Sequence, residues 1–374
     1  MRRPTLIILI LAYLFIIGCE QNPSDPDDTI SQETIDKIGQ MVIVGFRGTE
    51  IFDTSSIVAD IESLNIGGVV LYEYDSPSHS RPRNIESPTQ LSALVSDLKT
   101  HADTPLLIAI DQEGGFVDRL KESYGFPPTV TAQHLGEVDD PETTTYWANS
   151  CATTLEEMGI NLNFAPVVDL NINPDCPPIG HYERSFSANP SVVIDNATIW
   201  IDQHHNRGIL CAIKHFPGHG SSTEDSHLGI VDITETWSEI ELEPFDSLIS
   251  AGKPDLVMTA HVFNRDIDPD YPATLSGEFI DGMLRGDLSY NGVVIADDMQ
   301  MGAIQSEYGL YTAVEKSINA GVDILIFSNN YTEYNPNAAS EFVDAVVWLI
   351  EEGRITEERI DESYSRIMTL KSSI

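Results

Sequence analysis

Short apolar runs rich in valine, isoleucine and leucine recur along the chain, and amphipathic segments with helical periodicity separate them. Such runs are typical of strands buried on both faces of a parallel sheet, because crossover helices cover each face. The strands are predicted at residues 40–46, 68–72, 106–111, 163–168, 211–215, 256–261, 292–297 and 324–328. The helices between them are predicted at residues 56–64, 89–101, 142–158, 192–207, 278–284, 313–320 and 338–352.

This alternation of eight strands with helices predicts an α/β fold, a (β/α)8 TIM barrel that forms a single catalytic domain over residues 34–374. A doubly wound open sheet is the competing architecture, because local patterning does not show whether the sheet closes. The motifs GxGxxG and GxxxxGK[ST], which often accompany open sheets, follow none of the predicted strands. The barrel is therefore the favoured prediction.

Acidic residues far outnumber basic ones: 59 Asp and Glu stand against 20 Lys and Arg, for a formal net charge of −39. A nucleic-acid-binding protein needs a basic surface, so nucleic acid is excluded as a partner. With 41% hydrophobic and 21% charged residues, the chain can still bury a full core. The charge predicts a surface that stays hydrated in salt, where screening weakens the repulsion between carboxylates, and it indicates a saline source.

The first residues have the pattern of an export signal. Two arginines precede an apolar run at residues 6–17, which is shorter than the roughly 20 residues that span a bilayer and ends in the sequence IIGC. This ending resembles a bacterial lipobox and predicts a lipoprotein signal peptide over residues 1–18, with lipidation of Cys19. An ordinary signal peptide and an uncleaved anchor are the alternatives. Residues 19–33 are polar, acidic and interrupted by proline, so they predict a flexible tether. We therefore expect an exported monomer that a lipid anchors to the cell envelope, most simply to the outer membrane.

Three further cysteines, Cys151, Cys176 and Cys211, form no CxxC pair. They predict neither a disulfide framework nor a thiolate zinc site. Cys151 and Cys211 lie among apolar residues and are expected in the core. Cys176 lies in a proline-rich loop and is expected to be exposed.

Polar residues cluster directly after the predicted strands. In a barrel, these positions converge on one face, which locates the candidate active site. The clusters are the segment from Asp111 to Arg119 after the third strand, Asp169 and Arg184 after the fourth, the segment from Lys214 to His227 after the fifth, His261 at the end of the sixth, and Asp297 with Asp298 at the end of the seventh.

Four of these motifs occur in the order found in one enzyme family. They are DQEGG with an arginine four residues on, ERSF, KHFPGHG with DSH five residues beyond its last glycine, and VIADD. Over residues 35–370 the chain resembles glycoside hydrolase family 3, specifically its bacterial β-N-acetylglucosaminidase branch and the single-domain members of it. The resemblance implies an exo-β-N-acetylhexosaminidase that removes terminal β-linked N-acetylglucosamine, with retention, from peptidoglycan fragments, chitin oligomers or glycans. It implies no metal and no organic cofactor.

Retaining hydrolysis needs a nucleophile and an acid/base on the two sides of the sugar. Asp297 ends a rigid apolar strand and is the expected nucleophile, since the resemblance gives this role to the first Asp of the pair and leaves Asp298 in support. The resemblance also implies a dyad of Asp225 and His227 on a glycine-rich loop, with His227 as acid/base. A neighbouring carboxylate orients an imidazole and favours its protonated form.

The resemblance further implies that Asp111, Arg119, Arg184, Lys214 and His215 bind the carbohydrate substrate. Glu113 and His219 are expected in loop architecture, and Asp169 as a brace between loops. The family pattern runs almost directly from Ile-Gly into Arg-Ser-Phe, whereas here residues 181–183 intervene before Arg184. A shifted loop would change the Arg184 contact. The long segment at residues 73–84, with Arg81 and Arg83, is expected to reach toward the leaving group.

Several other functions remain open. A β-glucosidase or a glycoside phosphorylase would use the same scaffold, and a histidine repels incoming phosphate less than a carboxylate does. A metal hydrolase is suggested by the spacing of His215 and His219, but Pro217 and Gly218 break the helix that would bring both onto one face. A sugar-binding lipoprotein without catalysis would need neither a nucleophile nor a mobile acid.

Overall fold

Eight parallel strands close into a barrel in the computed structural model, which describes residues 30–226, 228–331 and 333–374. The strands in chain order are β1 (Val42–Gly45), β2 (Gly68–Val70), β3 (Leu107–Ile110), β4 (Leu162–Asn163), β5 (Leu210–Phe216), β6 (Val231–Asp232), β7 (Leu256–Thr259), β8 (Val262–Phe263), β9 (Val293–Asp298) and β10 (Ile324–Phe327). The barrel order is β1-β10-β9-β7-β5-β4-β3-β2, and β6 pairs separately with β8. The predicted TIM barrel is confirmed, because β1 pairs with both β2 and β10 and so closes the sheet.

Helices surround the barrel: α1 (Gln32–Gln40), α2 (Ser56–Leu64), α3 (Pro88–Thr100), α4 (Ala132–Val138), α5 (Pro141–Met158), α6 (Pro190–His205), α7 (Glu243–Ser250), α8 (Gly302–Gln305), α9 (Leu310–Ala320), α10 (Ala338–Glu351) and α11 (Glu357–Lys371). Short 3-10 turns form at Glu122–Tyr124, Gly180–Tyr182, Glu239–Leu242 and Ala273–Leu275, and a π-helix forms at Glu278–Asp287. Within the described ranges, no helix combines the length and the apolar character that a membrane crossing requires.

Local sequence explains where several helices begin. Helices α3, α5 and α6 each start at a proline, and the side chain of the preceding residue, Ser87, Asp140 or Asn189, accepts a hydrogen bond from a backbone N–H of the first turn. Proline fits the first helical position because the N–H that it lacks would have no partner there. The predicted starts of these three helices fall one or two residues late for this reason.

Strand β4 is shorter than predicted. Pairing in the sheet stops at Asn163, although Phe164 and Val168 still donate to Ile110 and Lys214 at 2.8 Å each. Pro166 interrupts this stretch and has no N–H to donate, so a regular ladder does not continue through it. The extended segment nevertheless delivers Asp169 to the carboxyl end of the barrel.

The prediction that Cys176 is exposed is wrong, whereas Cys151 and Cys211 are buried as expected. The proline-rich loop folds back against the segment after β5. There the Cys176 Sγ lies 3.3 Å from the His219 carbonyl oxygen and 3.2 Å from the Ser222 Oγ. This packing excludes water from the thiol.

Candidate active site

A cavity of about 560 Å³ opens at the carboxyl end of the barrel. Seven of the predicted site residues line it: Asp111, Arg119, Arg184, Lys214, His215, Asp225 and Asp297. They come from four different strand ends, so the barrel brings together positions that are far apart in the sequence. His227 and Cys19 lie outside the described residues.

Buried ion pairs form the floor of the cavity. The Lys214 Nζ donates to the Asp111 Oδ1 at 2.8 Å and lies 2.7 Å from the Glu113 Oε1. Arg184 donates to both oxygens of Glu113 at 2.8 Å. Burial by itself would lower the pKa of Lys214, but the charges of Asp111 and Glu113 hold this pKa above its ordinary value. Burial would likewise raise the pKa of Glu113, but Arg184 and Lys214 hold it well below the ordinary value. The floor therefore remains charged at neutral pH.

Arg184 reaches the site in spite of the extra residues that precede it. Residues 180–182 form a 3-10 turn, and the Arg184 N–H donates to the Ile179 carbonyl at 3.1 Å. The turn absorbs the added length. The Arg184 side chain consequently lies 3.2 Å from the His215 Nε2, inside the cavity.

Asp169 braces the start of the glycine-rich loop, as predicted. One of its oxygens lies 2.6 Å from the His215 Nδ1, and it also accepts the backbone N–H groups of His215 and His219 at 3.1 and 2.8 Å. Because Asp169 can only accept at neutral pH, the hydrogen-bond network assigns the proton of His215 to Nδ1 and directs Nε2 toward Arg184.

His219 belongs to the loop architecture, as expected. Its Nδ1 lies 2.6 Å from the Ser222 Oγ and its Nε2 lies 3.0 Å from the Ser226 Oγ. Burial lowers the pKa of His219 to about 4. The rings of His215 and His219 are 6.2 Å apart and nearly perpendicular. Among the described residues, no group of three or more His, Cys, Asp or Glu is arranged to hold a metal ion.

The two aspartates at the end of β9 have different surroundings. Asp297 lines the cavity, and its Oδ1 accepts the Asp298 N–H at 2.8 Å. Asp298 accepts the backbone N–H groups of Gln300 and Ser328 at 3.1 Å each and bonds the Ser328 hydroxyl. Burial raises the pKa of Asp298 to about 6. Asp298 thus joins the ends of β9 and β10, which is the supporting position predicted for it.

His261 lies beneath this pair. Its Nδ1 is 2.8 Å from the Thr274 Oγ1, and its Nε2 is 3.0 Å from the Asp298 carbonyl oxygen. These contacts place it in the support of β9 and not in the lining of the cavity.

The segment after β2 divides into two parts. Glu73 and Arg81 line the cavity, as expected for a segment that reaches toward the leaving group. Arg83 does not line it: this buried guanidinium donates to Asp75 at 2.8 Å and to the Asn329 carbonyl at 3.0 Å. Only part of the segment therefore faces the cavity, because the Arg83 side chain turns inward and fastens the segment to the loop after β10.

Sequence reasoning missed several residues of the lining and the part that Glu113 plays in the floor. Glu113 was expected only in loop architecture, yet it is the shared partner of Lys214 and Arg184. Its position within the DQEGG motif was the available signal. No motif distinguished the aromatic residues of the lining, which are Tyr72, Tyr74, Phe116, Tyr182 and Tyr331.

Comparison with known proteins agrees with this geometry. Residues 34–370 match the N-terminal domain of glycosyl hydrolase family 3. A β-hexosaminidase of Tolumonas auensis is 38% identical over 268 residues, which cover 71% of this chain and 76% of that protein. The solved structure of a family 3 β-N-acetylglucosaminidase from a Paenibacillus species superposes with a TM-score of 0.82 at 36% identity, over 91% of this chain and 62% of that one. A β-N-acetylhexosaminidase of Beutenbergia cavernae superposes with a TM-score of 0.81 at 29% identity, over 92% of this chain and 100% of that one. The chain therefore belongs to glycosyl hydrolase family 3, as its motifs predict.

Proposed function

We propose that this protein is a retaining exo-β-N-acetylhexosaminidase that removes terminal β-linked N-acetylglucosamine. The observation that carries the proposal is a single cavity in which Asp297 and Asp225 share the lining with a floor of buried, charged side chains. The names of its relatives support the same substrate class.

The floor suits the hydroxyl groups of a terminal sugar. Lys214 and Arg184 donate, and Asp111 accepts, from positions already fixed by their ion pairs. Hydrogen bonds to charged groups contribute about 1.5–3 kcal/mol each, so a few of them hold the sugar firmly. Because the cations and carboxylates are paired with one another, the floor needs little rearrangement when a neutral sugar binds.

The reaction then proceeds in two displacements. The Asp297 carboxylate attacks the anomeric carbon and forms a glycosyl ester, while the bond to the leaving oxygen breaks and His227 gives that oxygen a proton. His227 next takes a proton from water, and the resulting hydroxide displaces Asp297 from the anomeric carbon. Two inversions give net retention. Asp225 holds the imidazole of His227 in the required orientation.

Export and anchoring are part of the proposal. The apolar run, the IIGC sequence and the acidic segment support a lipid on Cys19, followed by a tether at residues 19–33 and a catalytic domain over residues 34–374. Radiolabelled palmitate should enter the wild type and not Cys19→Ser, and the wild type should fractionate with membranes. Equal labelling of both proteins would reject the anchor.

The catalytic test is the release of nitrophenol from a nitrophenyl N-acetyl-β-glucosaminide, with the first-formed anomer read by NMR. The β-anomer should appear first, and turnover should fall by about a thousandfold or more in Asp297→Asn and by about a hundredfold or more in His227→Ala. Asp344→Asn, an exposed position on α10, should retain full activity. A fluorinated slow substrate should label Asp297. First formation of the α-anomer, or labelling of another residue, would reject the mechanism.

The remaining alternatives are separated in the same assay. Release of a sugar phosphate when phosphate is added would assign a phosphorylase, and equal turnover of a nitrophenyl β-glucoside would assign a broader glycosidase. Loss of activity with a chelator would assign a metal hydrolase. Binding of N-acetylglucosamine without turnover would assign a non-catalytic lipoprotein.

A further inference from the structure

Two aromatic side chains stand exposed at the rim of the cavity. Phe116 is 61% exposed and Tyr182 is 45% exposed, although both line the same cavity as Asp297 and Lys214. Their ring centroids are 6.2 Å apart with an interplanar angle of 64°. Large aromatic rings left in contact with water beside a binding cavity often mark a surface that a ligand covers.

The backbone fixes Phe116 at the tip of a closed turn. Gly114 and Gly115 have φ angles of +97° and +62°, and the N–H groups of Glu113 and Gly114 both donate to the Val117 carbonyl at 3.0 Å. A Cβ at position 115 would lie 2.2 Å from the Thr131 Cγ2, so glycine is required for this close approach. The turn therefore fixes the backbone from which the Phe116 ring projects at the edge of the cavity.

Tyr182 is held from the other side by the residues that depart from the family pattern. It lies in the 3-10 turn before Arg184, in which the His181 N–H donates to the Cys176 carbonyl at 3.0 Å. The His181 ring packs edge-on against Tyr182, with centroids 5.0 Å apart. The same added residues that leave Arg184 in the floor thus bring an aromatic ring to the rim.

The chemistry of the cavity changes from floor to rim. The floor consists of buried charges, which suit the hydroxyl groups of the sugar that is cleaved. The rim pair offers apolar ring surface, which suits the C–H face of a pyranose. Tyr74 also lines the cavity, but the Arg81 guanidinium covers its ring at 4.5 Å from the centroid. Tyr72 and Tyr331 are only partly exposed, so Phe116 and Tyr182 present the most open ring surface for stacking.

We propose that Phe116 and Tyr182 form an aglycone subsite that stacks against the pyranose ring of the leaving group, so that a β-linked oligosaccharide is preferred over a glycoside with a small leaving group. This inference rests on the proposed function, because the leaving group lies at the rim only when Asp297 attacks the sugar in the floor. Stacking at the rim acts on the leaving group and leaves the binding of the terminal sugar unchanged.

The experiment compares two substrates that share the terminal sugar. N,N′-diacetylchitobiose has a sugar as its leaving group, and methyl N-acetyl-β-glucosaminide has only methanol. For Phe116→Ala and Tyr182→Ala, we expect kcat/KM on the disaccharide to fall about five- to twentyfold, with less than a twofold change on the methyl glycoside. Tyr182→Phe keeps the ring and should retain wild-type values.

Matched controls are available elsewhere on the surface. Phe52 is 64% exposed and Tyr311 is 46% exposed, and neither lines the cavity. Phe52→Ala and Tyr311→Ala should leave kcat/KM unchanged on both substrates. Circular dichroism should show that every variant is folded. Equal losses on both substrates, or no loss on either, would overturn the subsite while leaving the proposed function intact. Failure of the wild type to hydrolyse either substrate would overturn both.

Discussion

At the scale of single residues, the chemistry of the site depends on charges that are shared. Glu113 forms ion pairs with both Lys214 and Arg184, and Lys214 forms ion pairs with both Glu113 and Asp111. Buried charges are tolerated only when they are paired and hydrogen-bonded. Substitution of one charged residue in this group therefore also disturbs the other charged residues that were paired with it.

Glu113→Gln should separate this sharing from direct contact with the substrate. The variant leaves Lys214 and Arg184 with less negative charge between them, so we expect KM to rise about tenfold or more and the free energy of unfolding to fall by about 3 kcal/mol. Steady-state kinetics and urea unfolding measure the two effects. Glu137→Gln, exposed on α4 beside Gln133, is the control and should change neither. An unchanged KM would mean that Glu113 does not shape the floor.

The contribution of Glu113 to the free energy of unfolding depends on pH in a direction that its pKa determines. The pKa of Glu113 is depressed in the folded protein, so its stabilisation is present above the unfolded pKa of about 4.5 and is lost as the pH falls below it. Unfolding measured from pH 7 to pH 3 should therefore show a steeper loss in the wild type than in Glu113→Gln.

The pKa of Glu241 is shifted in the opposite direction to that of Glu113. Glu241 is fully buried beneath the glycine-rich loop, and the nearby Ser221 hydroxyl and backbone N–H offset only part of the cost of burying its charge. Burial raises its pKa to about 7, so the stabilisation by the neutral acid is complete below pH 4.5 and disappears as the pH rises through about 7.

Glu241→Gln should consequently be more stable than the wild type at pH 8, by about 2 kcal/mol, and no more stable at pH 4.5. Thermal unfolding at the two pH values measures this. Glu239→Gln, an exposed position in the same 3-10 turn, serves as the control. A gain of the same size at both pH values would show that burial of the carboxylate is not the cause.

Residue types could be predicted from the sequence where motifs mark them, but their pairings could not. The motifs correctly brought Asp111, Lys214 and Asp297 to one cavity. They did not show that Arg83 turns inward or that Cys176 is buried, because both depend on loops that fold against other loops. Periodicity describes how a segment meets the core, and it carries no information about contacts of this kind.

At the scale of elements, the apolar runs predicted all eight barrel strands, because burial on both faces leaves a continuous signal. Five helices escaped prediction: α1, α4, α7, α8 and α11. Helix α11 is rich in charged residues, and its core-facing positions include Ser363 and Lys371. Polar residues interrupt its apolar stripe. Where a helix buries charge in this way, the hydrophobic pattern understates how much of it lies against the core.

Two of the arginines of α11 form ion pairs with Asp323. This fully buried carboxylate, directly before β10, accepts from Arg285 at 2.9 Å, Arg366 at 3.0 Å and Arg359 at 3.3 Å. It also accepts the Val294 backbone N–H at 3.0 Å. A single side chain thus connects β9, the π-helix and α11.

Asp323→Asn should lower the free energy of unfolding by about 3–5 kcal/mol, because it leaves three guanidinium groups around a neutral amide. Chemical denaturation gives the value directly. Asp361→Asn on α11 is the control, since the Asp361 side chain is exposed where it pairs with Lys37 and such pairs contribute about 0–1 kcal/mol. Equal effects of the two substitutions would contradict the assignment of Asp323 as a connection between elements.

At the scale of the whole molecule, the net charge and dissolved salt have opposite effects on the stability of the folded protein. The formal net charge of −39 creates repulsion that salt screens, since the Debye length falls from about 10 Å at 0.1 M to about 3 Å at 1 M. The Tm should therefore rise by several degrees between these concentrations of sodium chloride. Potassium chloride should act equally, and sucrose at matched osmolality is the control for preferential exclusion. A flat Tm would show that the repulsion is already relieved by the ion pairs.

The closure of the barrel has a consequence for how the protein is made. Strand β1 pairs with β10, so the first strand to leave the ribosome waits for the last one. Until then, one edge of Val42–Gly45 has no partner, and an unpaired apolar edge recruits other chains. This short stretch is therefore the part of the barrel that stays open to wrong pairing for the longest time while the chain folds.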